Sequence, residues 1–149
     1  MLKRGAARAV NLELSAAYEE EGRRLFREHG LEERVTWRLH DIAADPDAIE
    51  PADIVVLRRV VCCYPDYRRL LGAAADHARR FVVFSYPPRN PPSRLFVAGA
   101  NVVTRAFRTE FRAFVHPPSA MLAVLEERGF RRALTHRALV WQIAGFERE

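Results

Sequence analysis

The stretch ARAVNLELSAAYEEEGRRLFREHG, residues 7–30, changes its period halfway along. Residues 7–14 are an apolar run of strand length, and the residues that follow space their apolar side chains as a helix does. Ser15 is placed to cap that helix, Glu19, Glu20 and Glu21 fall where the backbone dipole favours acids, and Gly30 stops it. Tyr18, Leu25 and Phe26 are expected to face the core, with Gly22 a mild weakness inside the helix. Upstream, residues 1–4 read as the tail of another helix that ends at Gly5. The strand therefore runs from the end of one helix to the start of the next, and its last residues include an acid, Glu13.

The alternation continues outward. ERVTWRLHD (33–41) alternates Val35, Trp37 and Leu39 with polar partners, as a half-buried strand closed by Asp41 does. AADPDAIEPA (43–52) is a loop or single turn. DIVVLRRVV (53–61) begins with the continuous apolar run of a doubly covered parallel strand. Pro65 suits the first turn of a helix running to about Arg79. FVVFS (81–85) is a further buried strand, YPPRNPPS (86–93) a rigid loop, and residues 94–107 a helix weakened by Gly99, Asn101, Val102 and Val103. HPPSAMLAVLEERGF (116–130) starts a helix at its prolines and stops it at Gly129. FRRALTHRALVWQIAGFER (130–148) supplies two final strands turning near residues 136–138. The expected fold is α/β: a Rossmann-like, mostly parallel sheet with helices on both faces and a C-terminal antiparallel hairpin. One domain spans residues 1–149.

Composition narrows the class. Apolar residues at 49% and charged residues at 29% describe a folded globular chain. The net charge is +5, yet 23 of the 24 basic residues are arginines scattered in pairs, with Lys3 the only lysine and no polybasic run. Neither a nucleic-acid partner nor a membrane is expected. No apolar run approaches the roughly 20 residues that span a bilayer. The two cysteines, Cys62 and Cys63, are adjacent, which disfavours an unstrained disulfide and fits a reduced, cytoplasmic chain with no metal site.

Sheets of this kind bind ligands beyond the carboxyl ends of their strands. Glu13, Asp41, Arg58 with Arg59, and Ser85 with Tyr86 stand at those ends. On the second strand of a nucleotide-binding half, an acid accepts both hydrogen bonds of a ribose diol, each charge-assisted bond being worth about 1.5–3 kcal/mol. Glu13 would have that role; its plainer reading is a solvated acid leading the next helix. Asp41 is equally well a turn acid. Cys62 and Cys63 read as structural rather than nucleophilic, and Trp37 and Trp141 as core. Asp66 suits a helix N-terminus. His116 is either a loop histidine bonded to backbone or a general base. The arginine- and phenylalanine-bearing stretch from Arg94 to Phe114 is either an amphipathic helix or a substrate lid.

The succession KRGAARAVNLELSAAYEEEGRR, RVTWRLHD, ADIVVLRRVVCCYPDYRRLL, RRFVVFSYPPRN and VWQIAGFER resembles class I S-adenosylmethionine-dependent methyltransferases over essentially the whole chain. The resemblance implies that AVNLELS is the second strand with the ribose acid Glu13 followed by Leu14, and LHD the third strand, with Asp41 and Ile42 near the adenine. VVLRRV would be the fourth strand, with Arg58 toward the cofactor's methionine end. It implies S-adenosylmethionine as cofactor and a small molecule as methyl acceptor.

The departure is a missing glycine-rich loop. No two of the seven glycines stand in a GxG spacing, and Gly5 is the first of them. The family's first, central strand and that loop have no counterpart here. Two inner strand edges would then be open to self-association. On this reading the chain is an N-terminally truncated methyltransferase domain with impaired binding of S-adenosylmethionine. Rival readings are a non-enzymatic remnant that depends on a partner, and a nicotinamide-dinucleotide domain, whose ribose Glu13 would also suit.

Overall fold

The structure is a computed structural model describing residues 1–109, 111–138 and 141–148. The chain divides into two compact units, Met1–Ala48 and Ile49–Glu149.

In the first unit, strands β1 (Ala9–Glu13) and β2 (Val35–Leu39) pair in parallel, with Ala9 opposite Val35 and Glu13 opposite Leu39. Helix α1 (Glu19–Glu28) connects them. Ser15 caps as its position suggests, its hydroxyl accepting from the Ala17 N–H at 3.3 Å, but a 3-10 turn over Ala16–Tyr18 intervenes before the α-helix. Gly30 closes the helix region at φ +61°. Residues Leu2–Arg4 form a single 3-10 turn ended by Gly5 at φ +105°. The Arg34 guanidinium ties this segment down, donating to the Leu2 and Ala7 carbonyls at 3.1 Å and also to that of Ala6.

Two expectations for this unit change. Gly22 is a requirement of packing rather than a weakness: a Cβ there would lie 2.4 Å from Trp37 Cζ3. The indole, tilted against Phe26 at 6.3 Å, occupies that space. Tyr18 and Leu25 do not join this contact and stay 62% and 42% exposed. Tyr18 precedes the α-helix, and Leu25 lies to one side of the Gly22–Phe26 stripe. Leu39, at the end of β2, is likewise exposed, so the alternation there buries only Val35 and Trp37, each in part.

In the second unit the strand order is β3 (Ala52–Leu57), β4 (Ala78–Tyr86), β6 (Gln142–Arg148), β5 (Phe130–Arg137). The pairing of β3 with β4 is parallel; β4 with β6 and β6 with β5 are antiparallel. Helices α2 (Tyr67–Asp76) and α4 (Pro118–Glu126) pack together, and the core comprises Leu70, Leu71, Met121, Val124 and Leu125 with Val82, Phe84 and Phe146 of the sheet. Phe84 and Phe146 stack with centroids 6.2 Å apart.

The run 54–57 is not doubly covered. Ile54 and Val56, which share one face of β3, are 40% and 47% exposed, and β3 has one ladder neighbour, β4, among the described residues. Helix α2 starts at Tyr67, where the Asp66 carboxylate accepts from the Arg69 N–H at 3.0 Å, leaving Pro65 outside. It ends at Asp76, and Arg79 belongs to β4 instead. Helix α3 (Pro91–Ala106) begins inside what reads as a rigid loop. Asn90 caps it through the Ser93 N–H at 2.9 Å, and prolines in a first turn forfeit no helical hydrogen bond. The last two strands form the expected hairpin, closed by the Ala138 N–H on the Trp141 carbonyl at 3.0 Å. Leu139 and Val140, which the sequence assigns to the hairpin's return strand, lie outside the described residues, as does Glu110 of the stretch from Arg94 to Phe114.

Candidate cofactor site

The parallel pairing of β1 and β2 brings Glu13 and the β2 terminus to the same end of the first unit. The Glu13 carbonyl accepts from the His40 N–H at 2.9 Å, carrying the ladder one step past the strand. Glu13 is half-buried, and its carboxylate makes no hydrogen bond or ion pair among the described residues. Beside it in sequence, Leu14 is 58% exposed at the strand tip.

Asp41 opens a tight turn. Its Oδ1 accepts from the Ala43 N–H at 2.9 Å and the Ala44 N–H at 3.3 Å, an Asx turn that a short acidic side chain favours. The N–H groups of Ala44 and Asp45 also donate to the Asp41 carbonyl, both at 3.0 Å, and the His40 Nε2–H donates to the Asp45 carbonyl at 2.6 Å. Ala43 is buried and Ile42 half-buried. The loop after β2 is thus fixed by its own backbone, with Asp41 in the turn role that the sequence leaves open beside an adenine contact.

Arg58 stands in the second unit, exposed, immediately after β3. Arg59 adopts φ +57°, a left-handed conformation unusual for a residue with a Cβ. Its N–H is held by the Ser85 Oγ at 2.8 Å, and its guanidinium lies 4.8 Å above the Trp141 ring. Trp141 is half-buried rather than core. At the end of β4, burial pushes the Tyr86 phenol above its ordinary pKa, with Arg132 and Arg137 opposing.

The Cys62 and Cys63 sulfurs lie 3.6 Å apart, and each thiol reaches the Arg59 carbonyl, at 3.6 and 3.7 Å. The Cys63 thiol is lowered to about 7 because the Cys62 S–H donates to it; the same contact, with burial, pushes the Cys62 thiol up. His116 is a backbone-bonded histidine: its Nε2–H donates to the Tyr64 carbonyl at 3.0 Å, and its ring packs 4.7 Å from Tyr67 and 5.4 Å from Phe114.

Sequence reasoning missed Ser85 as the support of Arg59, and it missed Asn101. Within α3, the Asn101 amide both donates to the Ala113 carbonyl and accepts from the Ala113 N–H, at 2.8 Å each. An asparagine in an otherwise apolar helical stretch was the available signal. On the same helix Leu95 and Phe96 are 77% and 75% exposed, and Phe107, just past its end, is 78% exposed. No group of three or more metal-ligating side chains converges among the described residues, and none of their helices is long and apolar enough to cross a membrane.

No protein-family model and no curated protein matches the chain. Solved structures do. A magnesium protoporphyrin IX methyltransferase from Synechocystis PCC 6803 with bound SAH superposes with TM-score 0.73 at 19% identity, over 99% of this chain and 66% of that one. An O-methyltransferase family protein from Burkholderia thailandensis gives 0.76 at 15% identity, over 95% and 44%. A geranyl diphosphate C-methyltransferase from Streptomyces coelicolor A3(2), in complex with geranyl diphosphate and S-adenosyl-L-homocysteine, gives 0.72 at 13% identity, over 99% and 65%. The chain spans about two fifths to two thirds of the length of these structures. It has the α/β fold of the S-adenosylmethionine-dependent methyltransferases.

Proposed function

We propose that the chain carries the adenosyl-binding part of a methyltransferase domain that acts on a small molecule, with S-adenosylmethionine as its cofactor. The observation behind this reading is Glu13: a half-buried carboxylate at the carboxyl end of a parallel strand, with no partner among the described residues. An acceptor left open in that position matches the two hydroxyls of a ribose. Leu14 and the turn at Asp41 and Ile42 would flank the adenine.

When bound, the cofactor supplies a methyl group made electrophilic by its sulfonium. The chain's own contribution is orientation, and alignment of two reactants alone supplies a large part of a transfer barrier. That accords with a site in which no acid or base pair stands out. The glycine-rich loop that passes close to the methionine moiety in this fold has no counterpart among these 149 residues, and weak binding and impaired transfer by this stretch alone are part of the proposal. Among the described residues β1 and β3 each pair with a single strand, and self-association through their other edges is expected.

The test is a titration of the 149-residue chain with S-adenosylmethionine and, separately, with NADH, followed by calorimetry and ligand-observed NMR. The expected result is S-adenosylmethionine binding weaker than micromolar, about −8 kcal/mol being the free energy that a micromolar site requires. The residual signal from the ribose protons is expected to vanish in Glu13→Gln. Binding of NADH without S-adenosylmethionine would favour a nicotinamide domain, and a signal unchanged in Glu13→Gln would remove the ribose assignment.

A further inference from the structure

Independently of the cofactor, the geometry at the end of β3 points to a second site. Cys62 and Cys63 are consecutive, yet their sulfurs sit 3.6 Å apart on the same side of the backbone, both directed at the Arg59 carbonyl. A disulfide needs about 2.05 Å between sulfurs, and closing the gap between neighbours would distort the 3-10 turn Val61–Cys63 that presents them. That separation instead suits one atom bonded to both sulfurs, at the apex of an S–X–S angle. We propose that the pair is a two-thiol clamp for a trivalent, thiophilic element, the arsenic(III) class, held between the two sulfurs.

Three observations define the ligand chemistry. Thiolates select soft acceptors over hard ones. A tetrahedral metal such as zinc wants four ligands, and among the described residues no third histidine, cysteine or acid completes such a set. Access is asymmetric: Cys62 is 8% exposed whereas Cys63 is half-buried, so Cys63 meets the ligand first and Cys62 closes behind it. The backbone under the pair is itself held, through the Phe114 N–H on the Cys62 carbonyl at 2.7 Å and the Ser85 hydroxyl on the Arg59 N–H at 2.8 Å. The lowered Cys63 thiol supplies a thiolate near neutral pH.

The step balances without a redox partner. With an arylarsine oxide, two arsenic–sulfur bonds form and both thiol protons leave with the arsenic-bound oxygen as one water. Arsenic stays trivalent and both sulfurs keep their oxidation state.

The probe is phenylarsine oxide, and intact-mass spectrometry is the readout. The chain holds only these two cysteines, so any adduct maps to them. The expected result is one phenylarsine per chain that survives excess 2-mercaptoethanol, is released by dimercaprol, and is lost in both Cys62→Ser and Cys63→Ser. Preorganisation is read on the wild-type chain alone, which avoids reliance on the fold of either variant. The native chain is expected to keep the adduct at a monothiol concentration that strips it from the urea-unfolded chain. No adduct, equal retention by the unfolded chain, or retention by either serine variant would overturn the proposal.

Discussion

The Cys63 thiol is lowered to about 7 by a donor to its sulfur. That donor is the Cys62 S–H, 3.6 Å away. Alkylation of Cys63 by iodoacetamide should therefore rise with pH through a midpoint at about 7, the thiol being unreactive below it and the thiolate reactive above. In Cys62→Ala the donor is gone, and the midpoint should move up toward the ordinary cysteine range. An unchanged midpoint would show that the Cys62 hydrogen bond is not the cause. A second residue, Gly22, sets a different expectation. Alanine there gains about 1 kcal/mol of helix propensity but meets the Trp37 ring, and overpacking of that kind costs about 1–3 kcal/mol. Gly22→Ala should lower the midpoint of urea unfolding, followed by tryptophan fluorescence, rather than raise it. Propensity alone gave the opposite sign, because the sequence does not display which ring will lie against which backbone.

Among the elements, the exposed flank of β3 has the most to say about behaviour in solution. Its apolar residues Ile54 and Val56 carry no charge or proline among residues 54–57 to discourage a second strand, and proteins usually protect such edges with lysine or proline. Concentration-dependent self-association should appear in light scattering, and Val56→Lys should reduce it. Scattering that is the same in both chains would mean the edge is not the contact. The identity of β3 was legible in its apolar run, but its exposure was not, since a buried and an uncovered strand of valines read alike. Capping chemistry was partly legible. Ser15 and the stop at Gly129 were plain from their types and positions, whereas Asn90 was hidden by the prolines after it, which look like a loop until a cap precedes them.

For the whole molecule, the order of strands and helices carried the fold, and the superposition on methyltransferase structures agrees with it. The site was less legible. Glu13 and Asp41 stand out as candidates in the sequence because strand ends are where such folds bind, but only the structure shows that the Asp41 carboxylate is engaged by its own turn while that of Glu13 is not. Side-chain brackets such as Asn101 to Ala113 leave no periodic trace at all. That bracket has a mechanical meaning. Asn101 grips Ala113 at both its N–H and its carbonyl, and the next residue, Phe114, grips Cys62. Helix α3, with its exposed Leu95 and Phe96, is thereby leashed to the paired thiols, so a tug on that helix reaches the sulfurs through two short links of backbone.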